Sequence, residues 1–237
     1  MMKITRRLLT LPIAVVVCAA VICMVMLGFW QLDRMHEKEQ RLASIAQKSA
    51  DGAMTLRELD PRREDIRDFL VGFNGKADTE KLLYLDNQVE NGQVGYDVIV
   101  PVVSNEGIVL VNYGWVKAPL FRGTLPAVDI APGFQHFHGR INVPSENPVV
   151  RETLSLEAPF PAVIQALDIG FISRLTQMKV APFVVELTAP AQSNFVRNWQ
   201  PVVMPPQKHL GYAIQWFGLA VAAAVVSYFS FRANNKG

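Results

Sequence analysis

The sequence predicts a membrane protein with two transmembrane helices that flank an α+β domain, mainly an antiparallel sheet that we expect to form a partly closed barrel. Half of the 237 residues are hydrophobic and only 19% are charged, below the roughly 25% charge of an average soluble protein. The apolar excess lies in two long uncharged runs. The residues between these runs contain several short segments rich in β-branched and aromatic side chains, which favour strands.

The first uncharged run covers residues 8–32, between Arg7 and Asp33. As a helix it would span roughly 38 Å, enough for a hydrocarbon core of about 30 Å. A cleaved signal peptide is the alternative, but its apolar region is usually about 7–15 residues long and ends at small residues. This run is longer and ends in Gly28-Phe29-Trp30-Gln31, so we expect a retained helix.

The segment between the runs is predicted to contain helices and strands that do not alternate as βαβ units, which favours an α+β domain. Residues 33–50 are expected to continue the first helix, Asp51-Gly52 to end it and residues 55–60 to form a short helix. A further helix is expected at residues 161–177, because its apolar residues recur at helical spacing. Strands are expected at residues 69–73, 81–89, 96–103, 108–116, 134–143 and 183–187, with Asn74-Gly75 and Asn91-Gly92 among the turns.

The second uncharged run, residues 210–231, is predicted to be the second transmembrane helix. Its small residues favour close helix packing, and they are Gly218, Ala220, Ala222 and Ala224. Residues 1–7 and 232–237 carry basic but no acidic side chains, whereas residues 33–209 carry 18 Lys and Arg against 21 Asp and Glu. The positive-inside rule therefore predicts cytoplasmic termini and a periplasmic middle segment in a bacterial inner membrane.

The search for chemistry excludes several classes of protein. A net charge of only +2 argues against a nucleic-acid partner. Cys18 and Cys23 both lie in the first apolar run, so a disulfide scaffold and a Cys-type zinc site are not expected. His136 and His138 share one face of a predicted strand. They could hold a metal with ligands from elsewhere, or simply belong to an exposed strand face.

The residues with the most chemical potential lie at the outer ends of the two predicted membrane helices. They are Trp30, Gln31 and Arg34 on the first helix, and His209, Tyr212 and Trp216 on the second. The aromatic residues could be ordinary interfacial anchors. His209 stands where an apolar helix begins, and a neutral imidazole there could bind haem iron or copper. A role without a ligand is the alternative for this histidine.

Four motifs together resemble the surfeit locus protein 1 family across essentially the whole chain. They are Gly28-Phe29-Trp30-Gln31-Leu32-Asp33-Arg34, Gly95-Tyr96-Asp97-Val98-Ile99-Val100-Pro101, Val109-Leu110-Val111-Asn112-Tyr113-Gly114-Trp115-Val116 and His209-Leu210-Gly211-Tyr212-Ala213-Ile214-Gln215-Trp216-Phe217. Their order, spacing and position relative to the two helices match the family. Tyr113 stands where the family usually has Arg, and Lys208 stands where many members have Asn.

The resemblance implies a non-enzymatic assembly factor that helps to insert haem a into the catalytic subunit of haem-copper cytochrome c oxidase. It implies that His209 is an axial ligand or handover residue for the haem iron. The haem-binding residues would be His209, Tyr212, Trp216, Trp30, Gln31 and Arg34. The implied partners are the catalytic subunit, other assembly factors and membrane lipid.

Two other functions stay open. One is a scaffold that stabilises oxidase assembly intermediates without binding haem. The other is a copper-delivery factor, which would need exposed Cys or Met ligands.

Overall fold

The computed structural model describes residues 2–59, 65–121, 123–145, 150, 152–188 and 194–236, with side chains from Pro12 to Ala233 within these ranges. The chain divides into two compact units. The helical unit comprises Met1–Ser44 and Gln200–Gly237, and the sheet unit comprises Ile45–Trp199.

Three α-helices and eight strands form the described part of the chain. In order they are α1 (Met2–Ala50), β1 (Met54–Thr55), β2 (Leu70–Ala77), β3 (Leu83–Glu90), β4 (Gln93–Ser104), β5 (Gly107–Lys117), β6 (Phe134–Asn142), β7 (Ala162–Ile164), α2 (Ile169–Thr176), β8 (Val180–Leu187) and α3 (Pro206–Lys236). A single 3-10 turn, Thr79–Lys81, joins β2 to β3.

The helices α1 and α3 are long and apolar enough, by length and composition, to cross a membrane. Their most apolar 18-residue windows have mean hydropathies of 2.8 and 1.6, and only 6% and 11% of these windows is buried within the protein. Most of their apolar side chains therefore face outward. The expected continuation of the first helix through residue 50 is confirmed.

A regular stripe on each helix is buried or half-buried, and we call the two stripes together the seam. On α1 the stripe is Val17, Val21, Met24, Gly28, Gln31 and Met35, and on α3 it is His209, Ala213, Trp216, Ala220, Ala223 and Ser227. The spacing alternates between three and four residues, as in paired helices. Of the small residues expected to pack closely, only Ala220 lies in the seam, because Gly218, Ala222 and Ala224 are exposed.

Gly28 marks a close approach between α1 and α3. A Cβ atom added to it would lie 2.6 Å from a carbon of the Phe217 ring. The same ring meets Phe29 edge to face, with centroids 5.3 Å apart. Because Gly28 is near Phe217 while Gln31 bonds to His209, the two helices run antiparallel.

The sheet unit is built on one mixed sheet with strand order β1-β2-β6-β8-β5-β4-β3-β7. The neighbours β1–β2, β5–β8 and β3–β7 are parallel, and the other pairings between these strands are antiparallel. In addition, β2 pairs with β4 at residues Gly75–Ala77. This extra pairing means that β2, β6, β8, β5 and β4 pair in a closed circuit.

Two apolar clusters lie on opposite faces of the sheet, as the two-residue period of strands requires. One cluster includes Val71, Val100, Val111 and Val185. The other cluster lies beneath α2 and includes Ile99, Leu110, Ile172 and Val184. Since both faces of β4, β5 and β8 are covered, these strands are near-continuous apolar runs.

Two local expectations from the sequence are wrong. The first is the helix at residues 55–60, which is a single turn as far as the structure describes it, to residue 59. Thr55 and Glu58 exchange hydrogen bonds between their side chains and backbone N–H groups, the pattern of a capping box without a following helix. The second is the Asn74-Gly75 turn, because both residues lie within β2 and pair with β6.

The predicted helix at residues 161–177 is divided into a strand and a shorter helix. Ala162–Ile164 forms β7 and pairs with β3, which suits the β-branched pair Val163 and Ile164. The helix α2 begins only after Asp168, whose carboxylate accepts a hydrogen bond from the Phe171 N–H at 2.9 Å. The late strand, in contrast, is confirmed and extends over Val180–Leu187.

Gly28→Ala should weaken the helical unit, because the added methyl group meets the Phe217 ring. We expect the free energy of unfolding to fall by about 1–3 kcal/mol, the usual cost of overpacking. Thermal unfolding of the full chain in detergent measures this change.

Gly218→Ala is the matched control, because nothing lies within 4 Å of its added Cβ atom. In a Phe217→Ala background, Gly28→Ala should cost less than in the unmodified chain, because the ring that the methyl group meets is gone. Equal unfolding temperatures for Gly28→Ala and the unmodified chain would contradict the close approach.

Candidate functional site

The candidate site is built at the start of α3. The helix begins at Pro206, a residue favoured in the first turn because its missing N–H has no helical acceptor there. His209 is therefore the fourth residue of the helix. This position places His209 in the seam stripe together with Ala213.

His209 is buried, and only one of its two ring nitrogens has a hydrogen-bond partner. Only 8% of its surface is exposed, and its Nδ1 lies 2.8 Å from Oε1 of Gln31. A carbonyl oxygen only accepts hydrogen bonds, so this contact is a hydrogen bond in the tautomer that carries its proton on Nδ1 and leaves Nε2 unprotonated. Among the described side-chain atoms, Nε2 of His209 is one of a few that are buried without a hydrogen-bond partner. It then holds an unshared electron pair.

This arrangement has the chemistry of a metal ligand. A neutral imidazole that donates from one ring nitrogen to an oxygen presents the other nitrogen as the ligand, which is the usual pattern at metal sites. A buried acceptor without a partner otherwise costs about 1–3 kcal/mol. The donor atom therefore suits haem iron, although the atoms that cover Nε2 must move before iron can reach it.

Two of the other predicted site residues, Trp30 and Arg34, lie about one turn apart on α1. The guanidinium carbon of Arg34 lies 5.7 Å from the centre of the Trp30 ring, and its Nη1 donates to Glu37 at 2.6 Å. Both Trp30 and Arg34 are exposed. Arg34 can thus offer a charge to an anionic group such as a propionate, in competition with Glu37.

The predicted residues of α3 do not all share one face. Trp216 is half-buried in the seam with His209, whereas Tyr212 is 44% exposed and belongs to the outward face. The seam follows positions 209, 213 and 216 and leaves out Tyr212. Tyr212 is therefore placed as an outward-facing aromatic residue.

The other histidines show no sign of a metal site. His136 Nδ1 lies 2.9 Å from Asn74 Oδ1 on β2, and His138 Nδ1 lies 2.8 Å from Thr188 Oγ1 after β8. The two imidazoles therefore bond to partners on opposite sides of β6. No group of three or more His, Cys, Asp or Glu that could hold a metal occurs among the residues described.

The sequence did not single out a row of polar side chains that crosses the sheet. Asn112 Nδ2 donates to Asp97 at 2.9 Å, and Asn142 Nδ2 donates to Glu186 Oε1 at 2.7 Å. Asn112 and Glu186 are partners in the register of β5 and β8. The available signal was weak: polar residues within otherwise apolar strand runs.

Burial dominates the electrostatics of this polar row. It raises the pKa of Glu186 to about 7, against the hydrogen bond from Asn142 and the positive charge of Arg140. The negative charge of Asp97 raises the pKa of Glu186 further. The pKa of Asp97 is itself raised, mainly by burial. Glu186 thus changes its charge near neutral pH.

Comparisons with known proteins relate both units to one family. A sequence model of the SURF1 family matches residues 18–221, which include Gln31 and His209. The "SURF1-like protein" of Rickettsia felis is 26% identical over 223 residues, or 89% of this chain and 92% of the relative. The "SURF1-like protein" of Rickettsia bellii is 25% identical over 217 residues, or 86% of this chain and 85% of the relative.

Glu186→Gln should remove a pH dependence of stability. Since the pKa of Glu186 is about 7 in the folded chain and about 4.3 in an unfolded one, the folded state retains a proton that the unfolded state loses between these values. The free energy of unfolding therefore falls as pH rises through this window, by on the order of 3 kcal/mol. Denaturant unfolding of the full chain at pH 5 and pH 8 measures this slope.

In Glu186→Gln the amide oxygen still accepts from Asn142, so we expect a flatter pH profile and a gain in stability at pH 8. Glu106→Gln is the control, because Glu106 is exposed in the turn between β4 and β5. Parallel pH profiles for Glu186→Gln and the unmodified chain would contradict the raised pKa.

Proposed function

The chain belongs to the SURF1 family, and from this premise we propose that it is a membrane-bound assembly factor for haem-copper cytochrome c oxidase. The family is known for oxidase assembly factors, which supports a general role in assembly. The finer proposal is that the chain hands haem a to the catalytic subunit of the oxidase. Haem a is the cargo in this proposal, and its macrocycle is transferred chemically unchanged.

We propose that the protein lies in a bacterial inner membrane, with residues 8–32 and 210–231 as the spans. The antiparallel pairing of α1 and α3 supports cytoplasmic placement of both residues 1–7 and residues 232–237, where the terminal basic side chains lie. Residues 33–209 would then be periplasmic. The outward apolar surface of both helices supports contact with lipid.

The observation that carries the haem proposal is the buried imidazole of His209. Its Nδ1 is held by Gln31, and its Nε2 is free of hydrogen bonds among the described side-chain atoms. A single histidine ligand suits a carrier, because a carrier has to release its cargo. The imidazole of His209 would hold haem iron by donating the electron pair of Nε2.

The remaining predicted residues would orient the macrocycle. Trp30, Trp216 and Tyr212 would offer apolar ring faces to the porphyrin. Arg34 would bind a propionate, since its guanidinium is exposed beside Trp30. The farnesyl tail of haem a would lie in lipid.

The two alternatives differ in what supports them. A copper-delivery role has less support, because Cys18 and Cys23 lie within the most apolar part of α1 and the described part of the chain contains no group of three or more His, Cys, Asp or Glu that could hold a metal. A scaffold that binds no haem is distinguished from a haem carrier by the Soret absorbance of the full chain. We propose that the partners are the catalytic subunit and other assembly factors.

His209→Ala should abolish haem binding, at some cost in stability because it leaves Gln31 without its partner. The reason is that the substitution removes the one imidazole whose Nε2 is buried and unpartnered in the described part of the chain. The measurement is the Soret absorbance of the full chain purified from cells that make haem a, together with oxidase assembly in those cells.

His136→Ala is the matched control, because His136 is an exposed residue of β6 bonded to Asn74. It should leave both haem and assembly unchanged. A His209→Ala protein that keeps haem with the same spectrum would refute the ligand assignment. An unmodified chain without haem, in cells where it supports assembly, would favour the scaffold.

Reporter fusions should establish the topology, because the charge distribution predicts which segments are exported. A periplasmic reporter should be active when fused after Gly52 or Pro148, and a cytoplasmic reporter should be active after Gly237. A cytoplasmic signal after Gly52 would overturn the proposed placement of the middle segment.

A further inference from the structure

Gln31 is a polar residue in a seam that is otherwise mostly apolar. It is half-buried on α1, and the neighbouring seam positions on that helix are Gly28 and Met35. Its Oε1 lies 2.8 Å from Nδ1 of His209 on the other helix. A polar amide at such a position is costly unless it is hydrogen-bonded, so its partner defines what it does there.

We propose that Gln31 is a positioning residue that fixes His209 in the tautomer with its proton on Nδ1, leaving Nε2 as the ligand atom. The proposal rests on the proposed function only in naming haem iron as the metal. A neutral imidazole can carry its proton on either nitrogen, and the hydrogen bond made by one nitrogen decides which. With Oε1 of Gln31 facing Nδ1, the other tautomer would place two acceptors against each other.

The buried environment of His209 strengthens the preference for the tautomer with its proton on Nδ1. Hydrogen bonds are electrostatically stronger in a dry apolar environment than in water, and His209 is 92% buried. The same bond restrains rotation of the imidazole ring. At metal sites, loss of such a hydrogen-bond partner typically lowers metal affinity by 10- to 100-fold, which sets the expected effect at Gln31.

The first test reads the tautomer without any haem. The full chain, labelled with ¹⁵N in its four histidines, is purified in detergent, and its ring nitrogens are observed by NMR. The His209 signals are those missing from His209→Ala. We expect a protonated Nδ1 and an unprotonated Nε2 in the unmodified chain.

Matched variants separate the acceptor from the volume of the side chain. Gln31→Met removes the acceptor at similar volume and should shift the proton of His209 toward Nε2. Gln31→Glu keeps an acceptor oxygen and should retain the proton on Nδ1. Gln40→Met is the control, because Gln40 is exposed on α1, and it should change nothing. A proton that stays on Nδ1 in Gln31→Met, or lies on Nε2 in the unmodified chain, would overturn the proposal.

The second test uses ferric haem b as the probe, titrated into the same proteins and followed by Soret absorbance. Gln31→Met should bind it about 10- to 100-fold more weakly, and Gln31→Glu should recover most of that loss. Unchanged affinity in Gln31→Met would contradict a role in positioning the ligand. If the tautomer depends on Gln31 while even the unmodified chain binds no haem, the proposed haem handover fails and the positioning of His209 by Gln31 stands.

Discussion

The hydrogen bond between Gln31 and His209 is a polar contact that fits only one matching of α1 and α3 along their lengths. Apolar packing alone specifies this match weakly, because a stripe that repeats every seven residues looks similar after a shift of two turns. A buried amide and a buried imidazole can be satisfied only when they meet. Gly28, the next seam position on α1, approaches the Phe217 ring closely. One polar contact thus joins the architecture of the helical unit to its chemistry.

Local pattern was sufficient to predict α1, α3 and most strands. The uncharged runs predicted α1 and α3, because twenty or more consecutive apolar residues have few other stable conformations. The strands β3, β4, β5 and β8 were predicted from β-branched runs, which suit a sheet covered on both faces. The resemblance in the motifs led to the SURF1 family, which the comparisons then showed. Gln31 and His209 were both named as candidates, but the sequence could not show that they bond to each other.

Contacts between distant segments explain what the sequence did not predict. Asn74-Gly75 is a good turn sequence, but seven register pairs with β6 outweigh that local preference. The segment 162–164 has apolar spacing compatible with a helix, yet β3 offers it a strand partner. The polar row containing Asp97 and Glu186 joins residues almost ninety positions apart, and their raised pKa values arise from burial that only the folded sheet creates. Helical spacing also gives a stripe but not which stripe is buried, so the sequence could not show that Tyr212 faces outward.

The outward faces of α1 and α3 determine which amino-acid substitutions these helices tolerate. With only 6% and 11% of the most apolar windows buried, most positions there need only be apolar. The codons for Val, Ile, Leu, Met and Phe share the same middle base, so one nucleotide change often exchanges one of these residues for another. Such exchanges keep the outward face of the helix apolar and touch no neighbour within the protein. At Gly28 a larger residue would meet the Phe217 ring. At Gln31 an apolar residue would leave His209 without its hydrogen-bond acceptor. The outward apolar positions can therefore change their residue types freely, while a few seam positions remain restricted.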